Sequence, residues 1–144
     1  MGRILKTAKI VLAILLLLIT VSCSSTESAI IDKAPAEGIV ENQSYYDLED
    51  VVLYLKTYGE LPPNYLTKKE ARDRGWDSDE GNLWAVSEGA VIGGDVFGNR
   101  EGILQEKEGR VYYEADVNYN GGYRGAERIV YSNDGLVFYT KDHY

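Results

Sequence analysis

The chain has 144 residues, a formal net charge of −8, one cysteine and one histidine. That length suits one domain with a real hydrophobic core, and the single cysteine and histidine exclude a disulfide framework, a cysteine-based zinc site and histidine-cluster metal chemistry. The acidic balance argues against a generic nucleic-acid binder, a class that is usually basic.

Arg3, Lys6 and Lys9 precede an apolar run from Ile10 to Val21 that ends at Ser22-Cys23-Ser24-Ser25. The run is too short for a bilayer core of about 30 Å. A basic head, a short apolar core and a small-residue end make residues 1–22 a secretory signal peptide. Thr20-Val21-Ser22-Cys23 resembles a bacterial lipobox, which makes Cys23 the expected lipidation site and the expected membrane anchor. Residues 23–41, rich in Ser, Thr, Glu and Ala, read as a flexible tether, and residues 42–144 as the folded domain. Removing residues 1–22 takes three positive charges and no negative one, so −8 becomes −11.

Asp47 is placed to cap a helix whose apolar positions Leu48, Val51, Val52, Leu55 and Tyr58 form one stripe. Gly59 stops it, and Leu61-Pro62-Pro63 forces an extended link. Thr67-Lys68-Lys69-Glu70 is a capping box that opens a second short helix ending at Gly75, and Leu83–Val86 reads as one more helical turn. Asp77-Ser78-Asp79-Glu80 opens like a calcium loop, but Gly81 and Asn82 are wrong for the positions that follow, leaving a solvated acidic loop.

After Gly89 the pattern changes to strands. Val91-Ile92 and Val96-Phe97 flank Gly93-Gly94-Asp95, a pair of glycines that builds no dinucleotide fingerprint. From Arg110 to Tyr119 the alternation puts Val111, Tyr113, Ala115, Val117 and Tyr119 on one face, with Tyr112, Glu114, Asp116 and Asn118 on the other. Asn120-Gly121-Gly122 is a turn signal, and Asn133-Asp134-Gly135 is another between strands 128–132 and 136–140. Helices first and strands second predict an α+β fold, helices packed on one face of a twisted antiparallel sheet. Arg100, Arg110, Arg124 and Arg128 interleave with Phe97, Tyr112, Tyr113, Tyr119 and Tyr123 in this half. Guanidinium groups suit phosphates and aromatic faces suit bases, but salt bridging to the many carboxylates explains the same arginines.

Five blocks resolve that ambiguity by resemblance: 61–68 (LPPNYLTK), 92–102 (IGGDVFGNREG), 114–119 (EADVNY), 128–132 (RIVYS) and the terminal Asp142-His143-Tyr144. In this order and spacing, from about Asp47 to Tyr144, the chain resembles the barnase-like family of secreted, guanine-preferring microbial ribonucleases. The resemblance implies the microbial ribonuclease fold and metal-independent endonucleolytic cleavage of single-stranded RNA 3′ of guanosine, with no cofactor. The ribose 2′-hydroxyl attacks the adjacent phosphorus to give a 2′,3′-cyclic phosphate, which is then hydrolysed. Glu114 matches the family's general base and His143 its general acid, a role suited to a group titrating near neutral pH. Lys68, Arg124 and Arg128 match the cations around the phosphate, with a structural Glu114–Arg128 ion pair as the plain alternative. Phe97, Gly98, Asn99, Arg100, Glu101 and Tyr144 match the guanine site: backbone N–H groups for guanine O6, Glu101 for its N1–H and 2-amino donors, Asn99 to hold the loop.

The chain departs from the family at four places. Gly98 stands where serine is usual, Ile103 where a lysine lies near the guanine loop, and Gly59 where a histidine ends the first helix. It also stops at Tyr144, short of the family's final edge strand. The implied partners are RNA and a barstar-like protein inhibitor, the protein being a monomer. An acidic inhibitor would be repelled at long range by a domain at −11. A locally positive cleft with weak non-specific RNA binding is the expected electrostatic picture. The competing readings are a ribonuclease with weak base choice and a catalytically weakened, ribonuclease-fold lipoprotein that binds RNA or a protein partner.

Overall fold

The α1 helix runs from Leu48 to Tyr58 and buries Val51 and Leu55 of the expected stripe, together with Tyr54, which the spacing left out; Leu48, Val52 and Tyr58 are half-buried. Its start differs from expectation. The Asp47 side chain makes no capping bond; instead Asn118 Oδ1 accepts from Leu48 N at 3.0 Å. Asn118 sits at φ 56°, a left-handed conformation that asparagine tolerates, and so a loop distant in sequence supplies the acceptor that a local carboxylate was expected to provide. At the other end Gly59 adopts φ 79° and closes its N–H onto Leu55 O, the left-handed stop that glycine accommodates without a Cβ penalty. The computed structural model describes residues 38–142; residues 1–37, with Cys23, and also His143 and Tyr144 lie outside the described residues.

The Pro62-Pro63 link leads into β1 (Tyr65–Leu66), which pairs in parallel with the start of β2 (Val91–Phe97). Between them come α2 (Lys68–Asp73) and the single turn α3 (Leu83–Val86). The Thr67–Glu70 capping box is present in both directions, and its hydrogen bonds hold the Glu70 carboxyl below its ordinary range. In the acidic loop Asn82 accepts from Asp77 N and donates to Gly75 O. β2, β3 (Tyr112–Asp116), β4 (Arg128–Ser132) and β5 (Val137–Thr140) follow in antiparallel order, giving an open five-stranded sheet β1-β2-β3-β4-β5. The fold is α+β as expected, but the sheet is mixed. A two-residue strand carries too little periodicity to be read from sequence, and its parallel pairing is made by the helical crossover between β1 and β2.

The two runs flanking Gly93-Gly94-Asp95 are one strand with a bulge between Gly93 and Asp95. A Cβ on Gly93 would stand 2.6 Å from the Tyr65 ring and 2.7 Å from Ala115 Cβ, so β2 approaches β3 as closely as only glycine permits. Two apolar clusters result. Val51 and Leu55 of α1 pack on Ala115, Val117 and Ile129, while Ala71, Trp76 and Leu83 pack around Leu66, Val91, Ile92 and Tyr119. Tyr65 packs against both. Among the described residues no helix is long and apolar enough to cross a membrane.

Candidate active site

On β3, Glu114 and Asp116 are two residues apart and so project to the same face of the sheet. The alternation groups them with Tyr112 and Asn118 on that face, and Asp116 is buried there at 2% exposure. Arg124 binds it as a fork, Nε to Oδ2 and Nη2 to Oδ1, both at 2.7 Å. Arg128, its neighbour across the β3–β4 ladder, donates Nε to Oδ1 at 3.0 Å. One buried carboxylate therefore orients two guanidinium groups, and three charge-assisted bonds offset its desolvation. Arg128 thus has a cross-strand partner, but it is Asp116 and not Glu114. Asp116 is the residue that sequence reading passed over; its i, i+2 spacing from Glu114 was the available signal.

Glu114 is paired with Lys68 Nζ, which arrives from the first residue of α2. Lys68 is held there by its backbone as well. Its N–H, one of the donors a helix start leaves unpaired, is accepted by Asp95 Oδ2 at 2.9 Å, and Asp95 lies opposite Glu114 in the β2–β3 register. Tyr65 fixes the same stretch from beneath, donating its hydroxyl to Asp116 O at 2.8 Å. Burial, and then the Asp116 charge, push the Tyr65 phenol above its ordinary value, so it stays protonated and remains a donor.

Beyond β2 the chain turns through residues 98–104. Asn99, at φ 40°, closes this loop from within: Oδ1 accepts from Leu104 N at 3.1 Å and Nδ2 donates to Leu104 O at 2.9 Å. Phe97, Gly98, Asn99, Arg100 and Glu101 line an open cleft of about 520 Å³, together with Val96, Ile103 and Glu114. A Cβ at Gly98 would come no closer than 3.5 Å to Arg100, so a side chain would fit there and the glycine is not demanded by space. Ile103, where the family has lysine, is 71% exposed on the rim.

The structure thus gathers Lys68, Glu114, Arg124 and Arg128 along one face and joins Glu114 to the 97–101 loop in one cleft. Arg110 is separate from them, forked to Asp134 through Nε and Nη2 at the far end of β3. Lys68 stands against Glu114, and Arg124 and Arg128 stand against Asp116.

Residues 49–144 match the ribonuclease family. The chain is 51% identical over 96 residues to a ribonuclease of Heyndrickxia coagulans, covering 67% of this chain and 88% of that protein. It is equally identical over 96 residues to a ribonuclease of Bacillus intermedius, of which it spans 59%. Over 52 residues it is 48% identical to guanyl-specific ribonuclease St of Saccharopolyspora erythraea, covering 35% of this chain and 52% of that one. With the α+β fold, the mixed sheet and the Glu114 cleft in place, the chain belongs to the ribonuclease family, as a barnase-like microbial ribonuclease.

Proposed function

We propose that this protein is a guanine-preferring endoribonuclease that cleaves single-stranded RNA by transesterification. The carrying observation is that one cleft contains both Glu114 and the Asn99-braced loop from Phe97 to Glu101. Guanine enters that loop, with backbone N–H groups toward O6 and the Glu101 carboxylate toward N1–H and the 2-amino group. Tyr144 adds aromatic surface. The 3′-phosphate then lies over Glu114, between Lys68 and the Asp116-anchored arginines.

Glu114 accepts the proton of the 2′-hydroxyl as its oxygen attacks phosphorus. His143 donates a proton to the departing 5′-oxygen, and a 2′,3′-cyclic phosphate forms. In hydrolysis the roles reverse: His143 takes a proton from water and Glu114 returns one to the 2′-oxygen. Lys68, Arg124 and Arg128 stabilise charge that grows on the non-bridging oxygens, and their fixed orientation spares reorganisation during the step. Export by residues 1–22, with Cys23 as a lipid anchor, puts this chemistry outside the cell.

The test is guanylyl-3′,5′-adenosine as substrate with EDTA present, comparing the mature wild type with Glu114→Gln and His143→Ala. Wild type releases guanosine 2′,3′-cyclic phosphate, and each variant loses roughly 10²–10⁴-fold in kcat. Equal rates in the three proteins would remove both residues from the mechanism, and loss of wild-type activity on adding EDTA would remove the metal-free scheme.

A further inference from the structure

The two edges of the sheet are unlike. β1 is two residues long, too short to offer much to another chain. β5 pairs with β4 from Val137 to Thr140 without a bulge. Its sequence Val137-Phe138-Tyr139-Thr140 holds no charge and no proline, the devices that commonly blunt an edge. Ser132 N donates to Leu136 O at 2.9 Å. In the alternating antiparallel ladder Phe138 and Thr140 therefore bond to β4, and the N–H and C=O groups of Val137 and Tyr139 point away from the sheet. No backbone partner meets them among the described residues. Phe138 is 40% and Tyr139 38% exposed, and the Tyr139 ring is braced by its hydroxyl on Glu127 Oε1.

Beside this edge runs a second stripe of α1. Glu49, Val52, Leu53 and Lys56 follow an i, i+3, i+4, i+7 spacing and, with β5, line an open groove of about 490 Å³. Neither Glu49 nor Lys56 has an ion-pair partner among the described residues. The groove is centred on Val52 of the helix and Phe138 of the strand. A two-fold axis perpendicular to the sheet beside Phe138 makes this edge complementary to itself. β5 then lies antiparallel to β5 of a second copy. Val137 of each copy stands opposite Tyr139 of the other in hydrogen-bonded pairs, and the two Phe138 rings meet in the pair between them. The same axis sets the two α1 helices antiparallel, so Glu49 of each faces Lys56 of the other. We propose that β5 is a self-pairing edge through which the protein forms a symmetric dimer, its two five-stranded sheets becoming one. The monomer that the resemblance implies is then the dilute form. A four-residue strand and one helix face make a small interface, with a Kd of roughly 10–100 µM. Both Glu114 side chains face the same side of the joined sheet, about five strand spacings, roughly 24 Å, apart.

The test is sedimentation equilibrium of the mature chain carrying Cys23→Ser, which removes any thiol or lipid link between copies. From about 5 to about 500 µM the wild-type edge passes from monomer to dimer. Phe138→Lys and Phe138→Glu each set like charges against one another on the axis and weaken association at least about tenfold. An equal mixture of the two restores it, because the opposed residues then carry opposite charge. A second readout uses Phe138→Cys and Tyr139→Cys in the same background. Residues that face each other across a non-hydrogen-bonded pair lie within disulfide reach, so oxidation links Phe138→Cys about tenfold faster than Tyr139→Cys, whose partner is Val137. A wild type still monomeric at about 500 µM overturns the self-pairing and leaves this edge to a strand of another protein. A dimer that persists in both charged variants places the contact elsewhere. A mixture no tighter than its components, or equal rates of disulfide formation, takes Phe138 off the axis; each of these outcomes also overturns the proposal.

Discussion

β3 carries an arginine–carboxylate cluster at each end, and the two differ in what they hold. At its end Asp116, with a side chain 3% exposed, binds Arg124 and Arg128. Before its start Arg110 meets Asp134, whose side chain is 29% exposed and also receives Lys107 Nζ at 3.4 Å and the Ser132 hydroxyl at 2.6 Å. The second cluster ties the approach to β3 to the β4–β5 hairpin, in reach of water. The first is buried beneath the face that also carries Glu114. The same pairing chemistry therefore staples a turn in one place and aims two cations in the other, and burial, not residue type, separates the roles.

The widest gap between the two ends is in what their carboxylates are worth. Asp116→Ala leaves two guanidinium groups without their main acceptor in a buried setting and costs about 3–5 kcal/mol, read as a lowered urea midpoint. It also reduces kcat/KM by releasing the arginines from their orientation. A loss no larger than that of Asp134→Ala would erase the distinction.

Glycines sharpen the contrast at a smaller scale. Gly93→Ala drives a methyl group into Tyr65 and Ala115, beside the strand that carries Glu114 and Asp116, and costs about 1–3 kcal/mol of overpacking. Gly135, at φ 96°, has open space around its Cβ position. Gly135→Ala pays only left-handed backbone strain, about 1–2 kcal/mol, and leaves activity per folded molecule intact. Thermal unfolding with parallel activity assays checks both, and an active-site loss in Gly135→Ala alone would invert the assignment.

The smallest effect is also the most specific in pH. Arg110, then Ser132, hold the Asp134 carboxyl well below the usual carboxylate range. A depressed folded-state value means the contribution is fully present above the unfolded-chain value of about 3.9 and is lost as pH falls through the lower folded one. The urea midpoint of Asp134→Asn should lie below that of wild type at pH 7, with the difference narrowing below about pH 4. A difference constant down to pH 2 would mean that ionisation of Asp134 contributes nothing.

Much of the local structure was legible in the residues. The apolar stripe of α1, the Gly59 stop, the Thr67–Glu70 capping box and the Asn133-Asp134-Gly135 hairpin each depend on neighbours within a few positions, and each stands in the structure. Ordered motif blocks also identified the family. What failed to be legible depends on distant partners: Asn118 capping α1, β1 joining the sheet in parallel, Asp95 receiving Lys68 N.

A net −8 did not decide whether the chain handles a polyanion, because net charge is a sum and a binding face is an arrangement. The sequence by itself determined which arginines and carboxylates exist, how they are spaced and which family they belong to. Only the tertiary structure decided which carboxylate each arginine meets. Asp116 lies near Arg124 and Arg128 because strand register and a glycine-tight β2–β3 approach bring them together, and its burial makes those contacts strong enough to hold the cations beside Glu114.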